Sequence, residues 1–540
     1  MLILQDDSAA TALLRRPPMV TYDCEAAYTA IQNQMKNCAQ LHPKCPKLED
    51  KILPRRLLDV GSDLKAPKLI IPETGTVGRY CALSYCWGQS QSVLLTQDRL
   101  QKGLLTFPLQ SLPATLKDAI VICRKLGFNY LWVDALCIVQ DSPDAEDWER
   151  ESATMDEIFG NAVLTIAASA AQDTSRGIFH FPGKGERLCS IPYHLEKGVI
   201  GKAYVQFNRL DEDGKQPLAT RAWAFQEALL SSRIVSFQTN KLVWECDTIR
   251  WDTNGLITQP SILKHRSEKS WQDLIEEYSR CELTFPSDRL SAIVGLVKRR
   301  VSSGIMGNLS VMTGNDPCGP YPYVAGLWQS RLVEHLCWYN MQVLQSLRPR
   351  PTTYIAPTFS WASIQHPVTF TAVQSLYAMC PRSYELFDKL DIHEVNVATS
   401  EIQPFGSIEL SPPSFLRVSA CLEPAVGLEW PTFNHEHKVQ ALRKANPRDD
   451  IYFVPRFDVL PPVGELTLDL QPARSEVDSY SSQSSFLWFL KVSRWNSLIV
   501  RPVVKEGLEG VENVFERVGF MQHKSPRLFF NTTKTLIILV

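Results

Sequence analysis

No stretch of this 540-residue sequence approaches the roughly 18 consecutive apolar residues that a membrane-spanning helix needs. The opening residues, Met-Leu-Ile-Leu-Gln-Asp-Asp, lack the basic flank and longer apolar core of a secretory leader, so the expectation is a soluble, cytoplasmic protein with no membrane span. A dominant charge is missing too. Lys and Arg total 56 against 58 Asp and Glu, a net charge of −2, which provides no broad attraction for phosphates and excludes nucleic acid as the expected partner. There is no GxGxxG, P-loop or metalloprotease motif, so hydride transfer, kinase chemistry and zinc-dependent hydrolysis lack support. No internal repeat is evident.

Apolar residues are not scarce. At 44% of the chain they can fill two or three cores, the number this length favours. The fourteen cysteines include Cys81, Cys123 and Cys137 inside predicted strands or helices, where they act as small buried hydrophobes, a usage that favours a reducing compartment. Cys38, His42 and Cys45 cluster in sequence with Cys24 as the available fourth donor, but this is not a paired zinc-knuckle spacing, and no metal is assigned.

The informative region runs from Tyr80 to Gly177. Tyr80–Tyr85 is a short apolar run suited to a strand buried on both faces. A helix follows from Pro113, with Leu116, Ala119, Ile120 and Cys123 on one stripe, and Gly127 stops it. Tyr130–Val133 is a second strand that ends in Asp134, and Ala162–Ala168 is a third that ends in Ser169. Between them Ser142-Pro143 starts a helix on which Trp148, Glu151, Met155, Ile158, Phe159 and Ala162 share one face, so Glu151 points inward. In a parallel sheet of this kind, polar residues at the strand ends lie where ligands bind. Ser84, Tyr85, Trp87 and Gly88 are therefore candidate ligand-wall residues, with Asp134 beside them; the alternatives are a tight turn for the first four and a cap contact for Asp134. Arg221 and Glu227, on a further helix with Trp223 and Leu230, form the other polar group. Cys137 as a nucleophile lacks a nearby histidine, His180 being the only one remotely placed.

These runs resemble the heterokaryon-incompatibility (HET) domain, a fungal family of self/non-self recognition and cell-death proteins. The resemblance is carried by YCALSYCWG from Tyr80, LPATLKDAIVICRKLGFNYLWVDALCIVQD from Leu112, DWERESATMDEIFGNAVLTIAAS from Asp147 and RAWAFQEALLSSR from Arg221. Flanking similarity extends through PRRLLDVG from Pro54 and on to FSWAS from Phe359. Ala222 departs from the glycine the family usually has there. The resemblance implies non-self recognition signalling and programmed cell death, with protein partners and homo-oligomerisation as modes of action. HET domains have been compared remotely with Toll/interleukin-1 receptor domains, some of which hydrolyse NAD with a helix-borne glutamate. On that analogy Glu151 would be catalytic and NAD the substrate, Asp134 and Ser84 orienting the ribose; the alternative for Glu151 is a structural ion pair with Arg221 or Arg176.

The fold expected is α/β, a parallel-stranded sheet with flanking helices, followed by a helical middle and a β-rich C-terminal module. The divisions expected are an accessory segment over residues 1–76, the HET domain over 77–250, a helical region over 251–384 and the β-rich module over 385–540. A hairpin is expected around Gln238–Lys241, a serine-rich linker over Arg474–Ser485 and a terminal strand at Leu536–Leu539.

Overall fold

The computed structural model describes residues 2–3, 21–61, 66–88, 93–179, 189–194, 200–205, 216–239, 241–260, 271–302, 323–340, 351, 353–370, 390–399, 405–406, 408–409, 412–424, 442–443, 452–457, 488–492, 496–523 and 533–540. His180 and the Arg474–Ser485 segment lie outside them. The chain forms two compact units, one of residues 1–269 with 292–305 and one of residues 270–291 with 306–540. Among the described residues no helix is long and apolar enough to cross a membrane.

The first unit is organised by a nine-stranded sheet. Its strands are β1 (Leu57–Asp59), β2 (Lys68–Ile70), β3 (Tyr80–Ser84), β4 (Tyr130–Trp132), β5 (Leu164–Ala167), β6 (Arg233–Phe237), β7 (Leu242–Cys246), β8 (Arg250–Asp252) and β9 (Ile257–Thr258). They lie in the order β9-β8-β7-β6-β5-β3-β4-β1-β2. Only the centre is parallel: β3 pairs with β4 through Cys81 and Leu131 and with β5 through Cys81 and Leu164, and β5 pairs with β6. Both flanks are antiparallel, so the sheet is mixed rather than parallel-stranded as expected. The physical reason is connection length, since β6 to β9 follow one another through turns too short for a crossover helix. β1 and β2 come from the segment expected to be accessory, and they complete this sheet.

Every residue of β3 is buried, as a strand covered on both faces requires. Besides the short helical turns Gln97–Gln101 and Asp134–Cys137, the helices described are α1 (Glu25–Leu41), α2 (Ala114–Lys125), α3 (Glu146–Ala153), α4 (Met155–Asn161), α5 (Ala222–Leu230) and α6 (Val294–Ser302). α2 begins after Pro113 and buries Leu116, Ala119, Ile120 and Cys123, and Gly127 leaves it with φ +83°. The single helix read from Ser142 is instead a short 3-10 turn, then α3 and α4, parted at Thr154. There both the amide and the hydroxyl of Thr154 donate to Glu151 O at 3.0 Å, which ends α3. The apolar face continues across the break. Trp132 meets Phe159 edge to face at 5.6 Å, and Gly295 N on α6 donates to Gln226 Oε1 on α5 at 2.7 Å. The hairpin expected at Gln238–Lys241 is present, joining β6 to β7.

The chain leaves β3 for β4 on one side and then returns to β5 on the other. The winding therefore reverses at the carboxyl end of β3, the place where open α/β sheets receive ligands.

In the second unit, the part expected to be helical is mixed. A helix at Trp271–Tyr278 accompanies the hairpin of Tyr323–Val324 and Leu327–Trp328 and the pair Trp338–Asn340 with Val368–Phe370. The first hairpin turns on Ala325 and Gly326, both at positive φ (47° and 92°), the conformation a two-residue hairpin turn demands. Gly326 O accepts from the indoles of Trp271 and Trp361 at 2.9 and 3.0 Å. The C-terminal strands pair in a closed circuit: Phe415–Pro424, Trp488–Lys491, Asn496–Pro502, Val514–His523 and Lys534–Leu539, which returns to Phe415–Pro424. The β-rich module is thus barrel-like, and closure leaves those five strands without an open edge. The terminal strand lies where the apolar run at Leu536 implied.

Candidate functional site

The carboxyl ends of β3 and β4 and the start of α5 build one polar rim. Ser84 ends β3 and is buried; its Oγ donates to Glu227 Oε2 on α5. Tyr85 follows, and its carbonyl accepts from Arg221 Nη1, the residue that caps α5. Trp87 Nε1 donates to Asp134 Oδ2 at 2.7 Å, and Asp134 Oδ1 also accepts from Ala135 N at 2.7 Å. Gly88 is required by space and backbone together: its φ is +79°, and a Cβ there would lie 2.5 Å from Asp173 Cβ. The structure thus brings together Ser84, Tyr85, Trp87, Gly88, Asp134, Arg221 and Glu227. Ser169, on the same edge, is buried; its carbonyl accepts from Leu218 N at 3.2 Å.

Two acids share this rim with one guanidinium. Burial raises Glu227 from an ordinary carboxylate value of 4.5 to about 7; the Ser84 hydroxyl and Arg221 oppose the rise, and the charge of Asp134 adds to it. Burial also raises Asp134, against hydrogen bonds from Tyr85, Trp87 and Ala135 N and the charge of Arg221. A carboxyl poised near neutrality beside a second acid can give and take a proton at physiological pH, which is the requirement for general acid–base work.

Glu151 is buried, as its helix face requires, but it belongs to another network. Arg56 Nη2 lies 3.0 Å from Glu151 Oε1 and also donates to Asp147 Oδ2, while Arg55 Nη1 reaches Asp147 at 3.0 Å and Glu151 at 3.9 Å. Its partners are therefore Arg56 and Arg55, not Arg221 or Arg176. Arg221 is held at Tyr85 O, and Arg176 is exposed beside Asp173. Burial still lifts Glu151 above the ordinary carboxylate range, with Arg56 opposing and Asp147 adding. Cys137 is fully buried, and its thiol is pushed up to about 12, chiefly by burial, which keeps it protonated and unfit as a nucleophile.

Sequence reasoning missed the buried Arg56 and Asp147 and the half-exposed Arg55 as one ion-pair group with Glu151. It also named the wrong fourth donor near Cys38, His42 and Cys45. Cys24 stands at the N-cap of α1, fourteen residues before Cys38, or about 21 Å along a helix. The donor that joins the three is Cys246, the last residue of β7. No local spacing signals Cys246 or the two arginines, because strand pairing brings them to their partners.

Comparison with known proteins yields one family. No curated protein and no solved structure matches the chain. Residues 80–227 match the family described as Heterokaryon incompatibility protein (HET). The match opens on the first residue of β3 and closes on Glu227, so it encloses every member of the rim and excludes Arg55 and Arg56. This chain carries a heterokaryon-incompatibility domain across residues 80–227.

Proposed function

We propose that the protein acts in heterokaryon incompatibility, in non-self recognition signalling that ends in programmed cell death, with the Ser84–Asp134–Arg221–Glu227 rim as the working centre of its HET domain. The observation that carries this reading is the coincidence of the family match with the rim. Glu227 rather than Glu151 is the acid to which we assign chemistry. It is partly accessible, poised near pH 7 and bonded to a serine instead of an arginine, whereas the Glu151 carboxylate is occupied by Arg56. Glu151 then has a structural part, holding α3 to the start of β1.

The test is conditional expression of the full chain in a filamentous fungal host, scoring colony survival at matched protein levels. The expected result is that the wild-type chain arrests growth, that Glu227→Gln and Asp134→Asn restore it, and that Glu151→Gln does not. A harmless wild-type chain contradicts the cell-death reading. Equal killing by Glu227→Gln contradicts the role of the rim.

A further inference from the structure

We propose that Cys38, His42, Cys45 and Cys246 form a binding site for one structural zinc ion. Cys38 lies in the last turns of α1, His42 caps that helix, Cys45 follows three residues on, and Cys246 ends β7. Their donor atoms all lie within 4.8 Å of one another. His42 Nδ1 is 3.4 Å from Cys246 Sγ and 3.9 Å from Cys45 Sγ. A tetrahedral zinc with bonds of about 2.0–2.3 Å sets its ligands roughly 3.5–3.8 Å apart, so the four atoms need only small adjustments to enclose the ion. Three sulfurs and one imidazole are a donor set for a closed, four-coordinate structural site.

The surroundings are those of thiolates. Arg233, 2% exposed, donates from Nε to Cys38 Sγ at 3.2 Å and from Nη2 to Pro46 O; none of its described partners is a carboxylate. Ile249 N donates to Cys246 Sγ and Thr248 Oγ1 lies 3.3 Å from Cys45 Sγ. Zinc with three thiolates carries one net negative charge, and Arg233 supplies one positive charge to balance it. That accounts for a buried cation with no carboxylate among its described partners. His42 and Cys246 are 204 residues apart, so the ion would tie the end of α1 to the rim of the sheet across most of the first unit. A disulfide would join two of the sulfurs and leave the third sulfur and the imidazole without a purpose.

The experiment uses the full chain, purified without metal-affinity resin and incubated with zinc, then measured by native mass spectrometry and elemental analysis. One zinc per chain is expected, falling to near none in Cys246→Ser and staying at one in Cys24→Ser. Removing the ion with a chelator should lower the melting temperature, and zinc, but not magnesium, should restore it. Should Cys246→Ser fail to fold, cobalt substitution of the wild-type chain decides: thiolate-to-cobalt charge-transfer bands with tetrahedral d–d absorption are expected, and octahedral, sulfur-free spectra would overturn the site. So would a wild-type chain that holds no metal after incubation, full zinc retention by Cys246→Ser, or a disulfide among Cys38, Cys45 and Cys246 in peptide mapping.

Discussion

Two acidic centres meet at the helical turn Asp134–Cys137, one at each end. At its start, Asp134 joins Glu227 with Arg221 as the cation beside them among the described residues; at its end, the Cys137 carbonyl accepts from Arg56, which also holds Asp147 and Glu151. Both centres take carboxylates out of water, fully in the second and partly in the first, but the second supplies Arg55 and Arg56 for its two, whereas the first bonds one acid to an indole and the other to a hydroxyl. A paired acid is a fixed strut. An acid left with a neutral partner in a partly dry site keeps its proton to neutral pH and can exchange it. Burial alone therefore does not separate function from structure; the charge of the partner does.

The largest expected effect attacks the strut. Arg56→Met leaves Asp147 and Glu151 buried with the half-exposed Arg55 as their remaining ion-pair partner among the described residues and Arg150 acting on Glu151 from farther off, and should destabilise the first unit by about 3–5 kcal/mol, read as a lower urea midpoint. Pairing it with Glu151→Gln should recover part of the loss, because the substitution removes a charge that has lost its partner. An undiminished midpoint in Arg56→Met would erase the distinction between the centres.

The rim is tested by pH. Glu227 is raised from 4.5 to about 7 in the folded chain, so between those values the folded state holds a proton that the unfolded state has released. Stability from this group is greatest below pH 4.5, falls as pH rises to about 7 and is level beyond. Glu227→Gln removes the dependence, and its stability relative to wild type should climb across that window by at most about 3 kcal/mol, less whatever solvent reaches the carboxyl. A variant that tracks the wild type at every pH would show that the proton is not there.

Much of the rim was legible because local pattern and topology agree there. Tyr80–Tyr85 reads as a central strand, and ligands favour the carboxyl ends of such strands, so Ser84 and Asp134 could be placed from sequence alone. The inward turn of Glu151 was legible from helical spacing. Its partner was not. Arg56 precedes β1, and only because β1 runs antiparallel to β4 (Leu58 opposite Leu131) does it arrive beside the end of that strand, 95 residues from Glu151. The same limit hid Cys246 from the α1 donors. The break at Thr154 was missed for a different reason: the apolar spacing passes through it unbroken, and what marks it is a side chain bonding back to the preceding turn.

A smaller effect tests how closely the rim is built. Gly88→Ala forces a side chain into left-handed backbone and against Asp173, at a cost of about 1–3 kcal/mol. The more useful readout is Trp87, whose fluorescence should change as its indole leaves Asp134, and growth arrest by the expressed chain should weaken even where the fold survives. Intact arrest with displaced Trp87 would shift the working centre from Asp134 toward Glu227 alone.

The smallest effect concerns Ala222, where the family usually has glycine. It is 1% exposed at the first position of α5 and is not among the residues at positive φ, so the backbone there is ordinary helix that alanine enters without strain. Glycine at that point would add conformational freedom to the unfolded chain and remove a buried methyl, so Ala222→Gly should lower stability by about 0.5–1 kcal/mol. Arg221 still reaches Tyr85 O through its own side chain, so growth arrest should be unchanged. If Ala222→Gly instead strengthens arrest, the Ala222 methyl limits the movement of α5 against β3, and that movement, not the resting Ser84 to Glu227 bond, belongs to the active state.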